Sequence, residues 1–131
     1  MTISDYLIIG GGIIGLSIAR ELKTRYPDAS IIVLEKEKKC GLHASGRNSG
    51  VLHAGFYYTA DSLKAIFTRL GNQQLTEYCK SKNIPINNCG KLEVTTKAED
   101  IPQLEELLSR GKNNNVLLYE ITEKEAREIE P

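Results

Sequence analysis

A chain of 131 residues is long enough for one domain with a core of its own, and only just long enough to add part of a second. Apolar residues make up 40% and charged residues 26%, an ordinary globular composition that excludes disordered, collagen-like and coiled-coil chains. Seventeen basic and seventeen acidic residues cancel, so no net field draws in nucleic acid or an acidic membrane surface, and neither is expected as a partner.

The stretch from Met1 to Ile9 is apolar in part, but it is short, lacks a basic leader and runs into glycines instead of a cleavage site. It reads as a strand, not a targeting segment. No window approaches the run of about 20 apolar residues that crosses a bilayer, so no transmembrane segment is expected. Cys40, Cys79 and Cys89 are odd in number and form no C-x-x-C, which argues against a disulfide framework or a tetrahedral metal site. A reducing, cytoplasmic compartment follows, with attachment at the periphery of an inner membrane left open.

In chain order, Asp5 to Ile9 forms the near-continuous apolar run of a parallel strand covered on both faces. Gly10, Gly11, Gly12 and Gly15 follow. Leu16, Ile18, Ala19 and Leu22 then recur at helical spacing until Tyr26-Pro27-Asp28, and a second buried strand spans Ile31 to Leu34. Strand, glycine turn, helix and strand make a βαβ crossover. From Glu37 to Tyr58, Gly41, Gly46, Gly50 and Gly55 alternate with Ser, Asn, His and Arg. This is a long loop with at most one helical turn, and such loops are usually functional.

A helix starts near Asp61 or Ser62 and carries Leu63, Ile66, Phe67, Leu70, Leu75, Tyr78 and Cys79 on one face until Asn83. Gly90 to Thr95 alternates as a half-exposed strand does. Pro102 opens a helix with Leu104, Leu107 and Leu108 inward and Gly111 closing it. Val116 to Tyr119 reads as a strand, and Thr122 with Glu125 has the spacing of a capping box. The fold class is therefore α/β: a Rossmann-like βαβ unit with a parallel sheet, followed by the start of an α+β substrate lobe. The division is placed at 1–82 for the dinucleotide-binding portion and 83–131 for an incomplete second lobe.

The chemistry concentrates in Gly10-x-Gly12-x-x-Gly15, which follows a strand and opens a helix. Gly10 permits the tight turn, Gly12 lets a pyrophosphate approach the backbone, and Gly15 lets helix and sheet pack closely. The helix begins at Ile13 and Ile14, whose N–H groups and dipole end face the diphosphate. Glu35, at the end of the second strand, is placed to accept ribose hydroxyls and to repel a 2′-phosphate, an effect softened by Lys36, Lys38 and Lys39. The alternative is a glycine turn that serves packing alone. The loop residues Ser45, Gly46, Arg47, Asn48, Ser49 and Gly50 supply close approach and polar groups beyond the pyrophosphate, which an NAD enzyme seldom needs, and this favours a flavin. The alternative there is a flexible surface loop.

The fingerprint, the stretch Ser45-Gly46-Arg47-Asn48-Ser49-Gly50-Val51-Leu52-His53-Ala54-Gly55-Phe56-Tyr57-Tyr58, Ser62-Leu63-Lys64-Ala65 and Gly90-Lys91-Leu92 resemble the D-amino-acid-oxidase-like FAD superfamily, and within it the L-2-hydroxyglutarate oxidases or dehydrogenases. The resemblance covers nearly all of the chain. It implies FAD as cofactor and hydride transfer from a 2-hydroxy acid to the flavin, giving a 2-oxo acid, with electrons passing to oxygen or a quinone pool. A second member of the same superfamily, oxidising an amine or amino acid, is the alternative; a dinucleotide-binding module without catalysis is another. The resemblance places Gly10, Gly12 and Gly15 on the pyrophosphate, Glu35 on the ribose, and Ser45 to Ser49 along the cofactor toward its ring. Ala44 and Thr59-Ala60-Asp61 depart from the family pattern. Family members are much longer, so the chain is expected to be an N-terminal fragment, inactive by itself.

His53 has three competing roles: base for the hydroxyl proton, contact to the flavin ring, or structural histidine. Tyr57 and Tyr58 face either substrate or core. His43 reads as a plain loop residue.

Overall fold

The computed structural model describes residues 3–131; Met1 and Thr2, the first positions of the expected leading strand segment, lie outside them. The chain divides into two compact units, Met1–Val51 and Leu52–Pro131.

In the first unit, strand β1 (Tyr6–Ile9), helix α1 (Ile13–Arg25) and strand β2 (Ile31–Leu34) form the βαβ crossover. The strands are parallel, with Tyr6 opposite Ile31 and Ile9 opposite Leu34. Four-residue strands of β-branched and long aliphatic side chains suit this pairing, and α1 packs across both. The sheet entrance is clasped by side chain and backbone together: the Ser30 N–H and hydroxyl each donate to Asp5 Oδ2 at 2.8 Å. These donors hold the Asp5 carboxyl below the ordinary carboxylate range. Lys23 and Arg25 in the last turn of α1 complement its dipole, and Tyr26 beyond it stacks on Tyr6 with centroids 5.9 Å apart.

One expectation fails here. The strands are not covered on both faces: Leu7 is 56% and Ile9 84% exposed. Among the described residues two strands pair and one helix covers them, so the alternate faces that the apolar run is built to bury remain open.

In the second unit, helix α2 (Leu63–Ser81) starts where Ser62 Oγ accepts the Ala65 N–H at 3.1 Å. It ends two residues before a left-handed Asn83 (φ 53°), the conformation that commonly closes a helix. Its buried residue is Ala65. The predicted apolar face is largely solvent-exposed, including Leu63, Ile66, Phe67 and Leu70. Helix α3 (Ile101–Asn113) follows a 3-10 turn, Ala98–Asp100, and helix α4 (Glu123–Ile129) carries the full capping box of Thr122 and Glu125.

Three readings are corrected in this unit. Gly111 does not close α3; the helix continues to Asn113 and a left-handed Asn115 (φ 54°) ends it. Gly111 is glycine because the Leu118 side chain occupies the space a Cβ would need. Neither Gly90 to Thr95 nor Val116 to Tyr119 forms a strand among the described residues. An alternating pattern becomes a strand only where another strand accepts its ladder, and here Lys91 and Glu93 pair with each other at 2.6 Å while Leu118 covers Gly111. The expected α+β lobe is thus present as helices with irregular segments.

Candidate functional site

The glycine turn joins the end of β1 to the start of α1. The Gly10 N–H continues the ladder to the Leu34 carbonyl at 2.7 Å. Gly10 itself then turns with φ 106°, which a side chain would strain. Gly15 lies one helical turn further on, where a Cβ would collide with the Gly10 carbonyl oxygen. The turn can therefore close on the helix only with glycine at both places.

Glu35 is held by this turn. Its Oε2 accepts the Gly11 N–H at 2.7 Å and its Oε1 accepts the Glu37 N–H at 3.0 Å. The Glu37 and Gly11 donors, with lesser help from the charge of His43, keep its carboxyl below the ordinary range. Each carboxylate oxygen retains acceptor capacity for a ribose hydroxyl.

The loop after β2 folds back onto the turn. The Gly41 N–H donates to the Gly11 carbonyl at 3.0 Å, and a 3-10 turn, Ala44–Gly46, sets Ser45 Oγ 2.9 Å from the Ile13 N–H, which it accepts. Ser45 thus satisfies one of the orphan donors at the start of α1. The N–H groups of Ile14 and Gly15 have no protein acceptor among the described residues.

An open cleft of about 280 Å³ results, walled by the strand ends at Ile9 and Leu34, by the glycine turn, and by Glu35, Lys36, Leu42, His43 and Ser45. It offers apolar walls, a carboxylate at one side and a helix N-terminus with free N–H groups. Those groups fit an adenosine ribose and a diphosphate.

Of the residues expected at the site, Gly10, Gly12, Glu35, Lys36 and Ser45 line the cleft, and Ile13, Ile14 and Gly15 form the adjoining first turn of α1. Gly46, Arg47, Asn48, Ser49 and Gly50 do not line it. Asn48 instead staples its own loop: its Nδ2 donates to the Ala44 and Ser45 carbonyls at 3.2 and 2.9 Å, and its Oδ1 accepts the Gly50 N–H at 2.8 Å. His53 belongs to the second unit, exposed, its carbonyl accepting from Asn72 Nδ2 at 3.2 Å. Tyr57 and Tyr58 are partly buried there. Tyr57 stacks on the buried Phe56 with centroids 4.2 Å apart and meets Lys91 and Glu93 through its hydroxyl; Lys64 Nζ sits 4.3 Å above the Tyr58 ring. Missed in the sequence were Gly11, whose N–H orients Glu35, and His43. A fourth glycine inside the fingerprint was the available signal for the first; none existed for the second.

A carboxylate-anchored glycine turn between parallel strands defines a dinucleotide-binding βαβ protein. Residues 5–131 match the family described as FAD dependent oxidoreductase, and the chain belongs to that family, whose cofactor is FAD. It is 48% identical over 128 residues to the mitochondrial L-2-hydroxyglutarate dehydrogenase of Nematostella vectensis, covering 97% of this chain and 28% of that protein. The mitochondrial L-2-hydroxyglutarate dehydrogenase of Homo sapiens is 49% identical over 112 residues, 86% of this chain and 24% of its own length. The L-2-hydroxyglutarate dehydrogenase of Escherichia coli K12 is 44% identical over 127 residues, 97% and 30% respectively. The chain thus spans under a third of the length of these relatives. No helix among the described residues is long and apolar enough to cross a membrane.

Proposed function

We propose that this chain supplies the FAD-binding part of an enzyme that oxidises a 2-hydroxy acid, L-2-hydroxyglutarate to 2-oxoglutarate. The observation that carries the reading is Glu35 held on the Gly11 N–H at 2.7 Å beside a helix start with free N–H groups. The names of the relatives support the substrate.

Gly12, Ile14 and Gly15 receive the pyrophosphate on backbone N–H groups, Gly10 and Ile13 shape the turn that holds it, and Glu35 accepts the ribose hydroxyls while Lys36 flanks it. Ser45 orders the loop against α1, and Gly46 to Gly50 continue toward the flavin ring. When bound, the flavin supplies the hydride acceptor for the alcohol carbon, and oxygen or a quinone pool takes the electrons. His53 stays a candidate proton acceptor for the substrate hydroxyl. For the compartment we infer a reducing one, cytoplasmic or at the surface of an inner membrane; three free thiols support it. The animal relatives are named mitochondrial, and the bacterial one carries no compartment in its name.

The test is a thermal melt and absorbance spectrum of the purified chain with FAD and with NAD. A melt raised by FAD alone is expected, with weak binding and no turnover of L-2-hydroxyglutarate by the 131-residue chain. Stabilisation by NAD and not by FAD, in a folded chain, overturns the flavin assignment.

A further inference from the structure

We propose that His43 is a further binding residue of the cleft, contacting the ADP half of the nucleotide, and that Glu37 positions its ring. The inference rests on the functional reading above only as far as the ADP moiety, which FAD shares with NAD.

His43 lines the cleft beside Leu42, Lys36 and Glu35. Its backbone is fixed from both sides. Upstream, the Gly41 N–H is bonded to the Gly11 carbonyl at 3.0 Å; downstream, Ser45 Oγ accepts the Ile13 N–H at 2.9 Å and the Gly46 N–H donates to the His43 carbonyl at 2.9 Å. The ring is fixed as well, by Nε2 against Glu37 Oε1 at 3.0 Å. Its side chain nevertheless stays 54% exposed.

An exposed histidine–carboxylate pair adds little to fold stability, so stability alone gives a weak reason for holding this ring on a carboxylate in a segment whose backbone is already fixed. Binding gives a better one. A ring already immobilised loses little freedom when a ligand covers it. Flat, amphipathic and next to Leu42, it offers an apolar face to a purine or ribose and leaves Nδ1 as a hydrogen-bonding atom. Glu37 acts through the ring and needs no contact with the nucleotide.

The experiment is a titration of ADP into the 131-residue chain, followed by the histidine ring and amide resonances, for the wild type, His43→Ala, His43→Gln and Glu37→Gln. His43 ring signals are expected to move at saturation. His43→Ala is expected to weaken ADP about tenfold, or ~1.4 kcal/mol, with His43→Gln recovering part of the loss and Glu37→Gln costing less than His43→Ala. The melts of the ligand-free variants are expected to match the wild type. Equal ADP affinity in wild type and His43→Ala overturns the inference, as does a folded wild-type chain that binds no ADP at ~1 mM. A parallel FAD and NAD titration separates the two claims. Weakened ADP binding in His43→Ala together with FAD binding no tighter than NAD keeps this inference and removes the flavin reading; the reverse pattern removes this inference alone.

Discussion

Each unit contains a turn built around a glycine with positive φ, Gly10 at 106° and Gly55 at 95°, and the two are held by different means. The Gly10 turn is held through its own backbone groups: the Gly10 N–H on the Leu34 carbonyl, the Gly11 carbonyl accepting the Gly41 N–H, and the Gly11 and Ile13 N–H groups donating to the Glu35 and Ser45 side chains. The Gly55 turn hangs on side chains. Asn114 Nδ2 reaches the Tyr58 carbonyl at 2.8 Å, Arg110 Nη1 reaches the Tyr57 carbonyl at 2.7 Å, and Asn72 Nδ2 reaches the Leu52 carbonyl at 3.1 Å. The first arrangement occupies the Gly10, Gly11 and Ile13 donors, leaves those of Ile14 and Gly15 available for a ligand, and is most easily broken by adding bulk. A side-chain clasp fixes a loop for its neighbours and can be undone one residue at a time.

The largest effect is expected from bulk in the first turn. Gly15→Ala places a Cβ against the Gly10 carbonyl oxygen, and overpacking against backbone has no flexible side chain to absorb it. A loss of about 3 kcal/mol or more is expected, read as a collapsed melting transition together with lost nucleotide binding. A wild-type melt in this variant would show the turn to be looser than described.

A smaller effect is expected in the second turn. Asn114 is 6% exposed and its amide serves both the Tyr58 and Gly55 carbonyls. Asn114→Ala leaves those acceptors without their donor, a loss of about 2 kcal/mol by chemical denaturation. Nucleotide affinity is expected to survive it, because Asn114 belongs to the other unit; equal damage to ADP binding would erase the contrast between the turns.

The smallest effect is on pH dependence. Because the Glu35 carboxyl is held low in the folded chain, its contribution is complete above the unfolded value of about 4.3 and is lost as pH falls through the folded value. Asp5 and Glu125 are held low in the same way, so the readout is the difference between wild-type and Glu35→Gln melts across acidic pH. That difference is expected to shrink as pH falls; a constant difference would mean that the Glu35 charge contributes nothing to holding the turn.

How much was legible follows the range of the interactions. The βαβ elements, the helix starts and the glycine turn were readable because their determinants sit within a few residues: Ser62 with Ala65, Thr122 with Glu125, Gly10 with Gly15. The second half was readable only as helices. Lys91 to Thr95 alternates as a strand does, yet alternation names a half-exposed surface and not the strand that must pair with it. The open faces of Leu7 and Ile9 carry the same lesson, since an apolar run states that burial is wanted without stating what provides it.

The sequence by itself therefore determined the crossover, the helix starts and the nucleotide fingerprint, because each depends on local sterics and local hydrogen bonds. Tertiary structure alone decided that Gly11 orients Glu35, that Ser45 rests on the start of α1, that Gly111 makes room for Leu118, and that His43 pairs with Glu37 at the wall of the cleft. Those relations join side chains whose distance in space is set by how the loops close, a quantity that no residue pattern along the chain encodes.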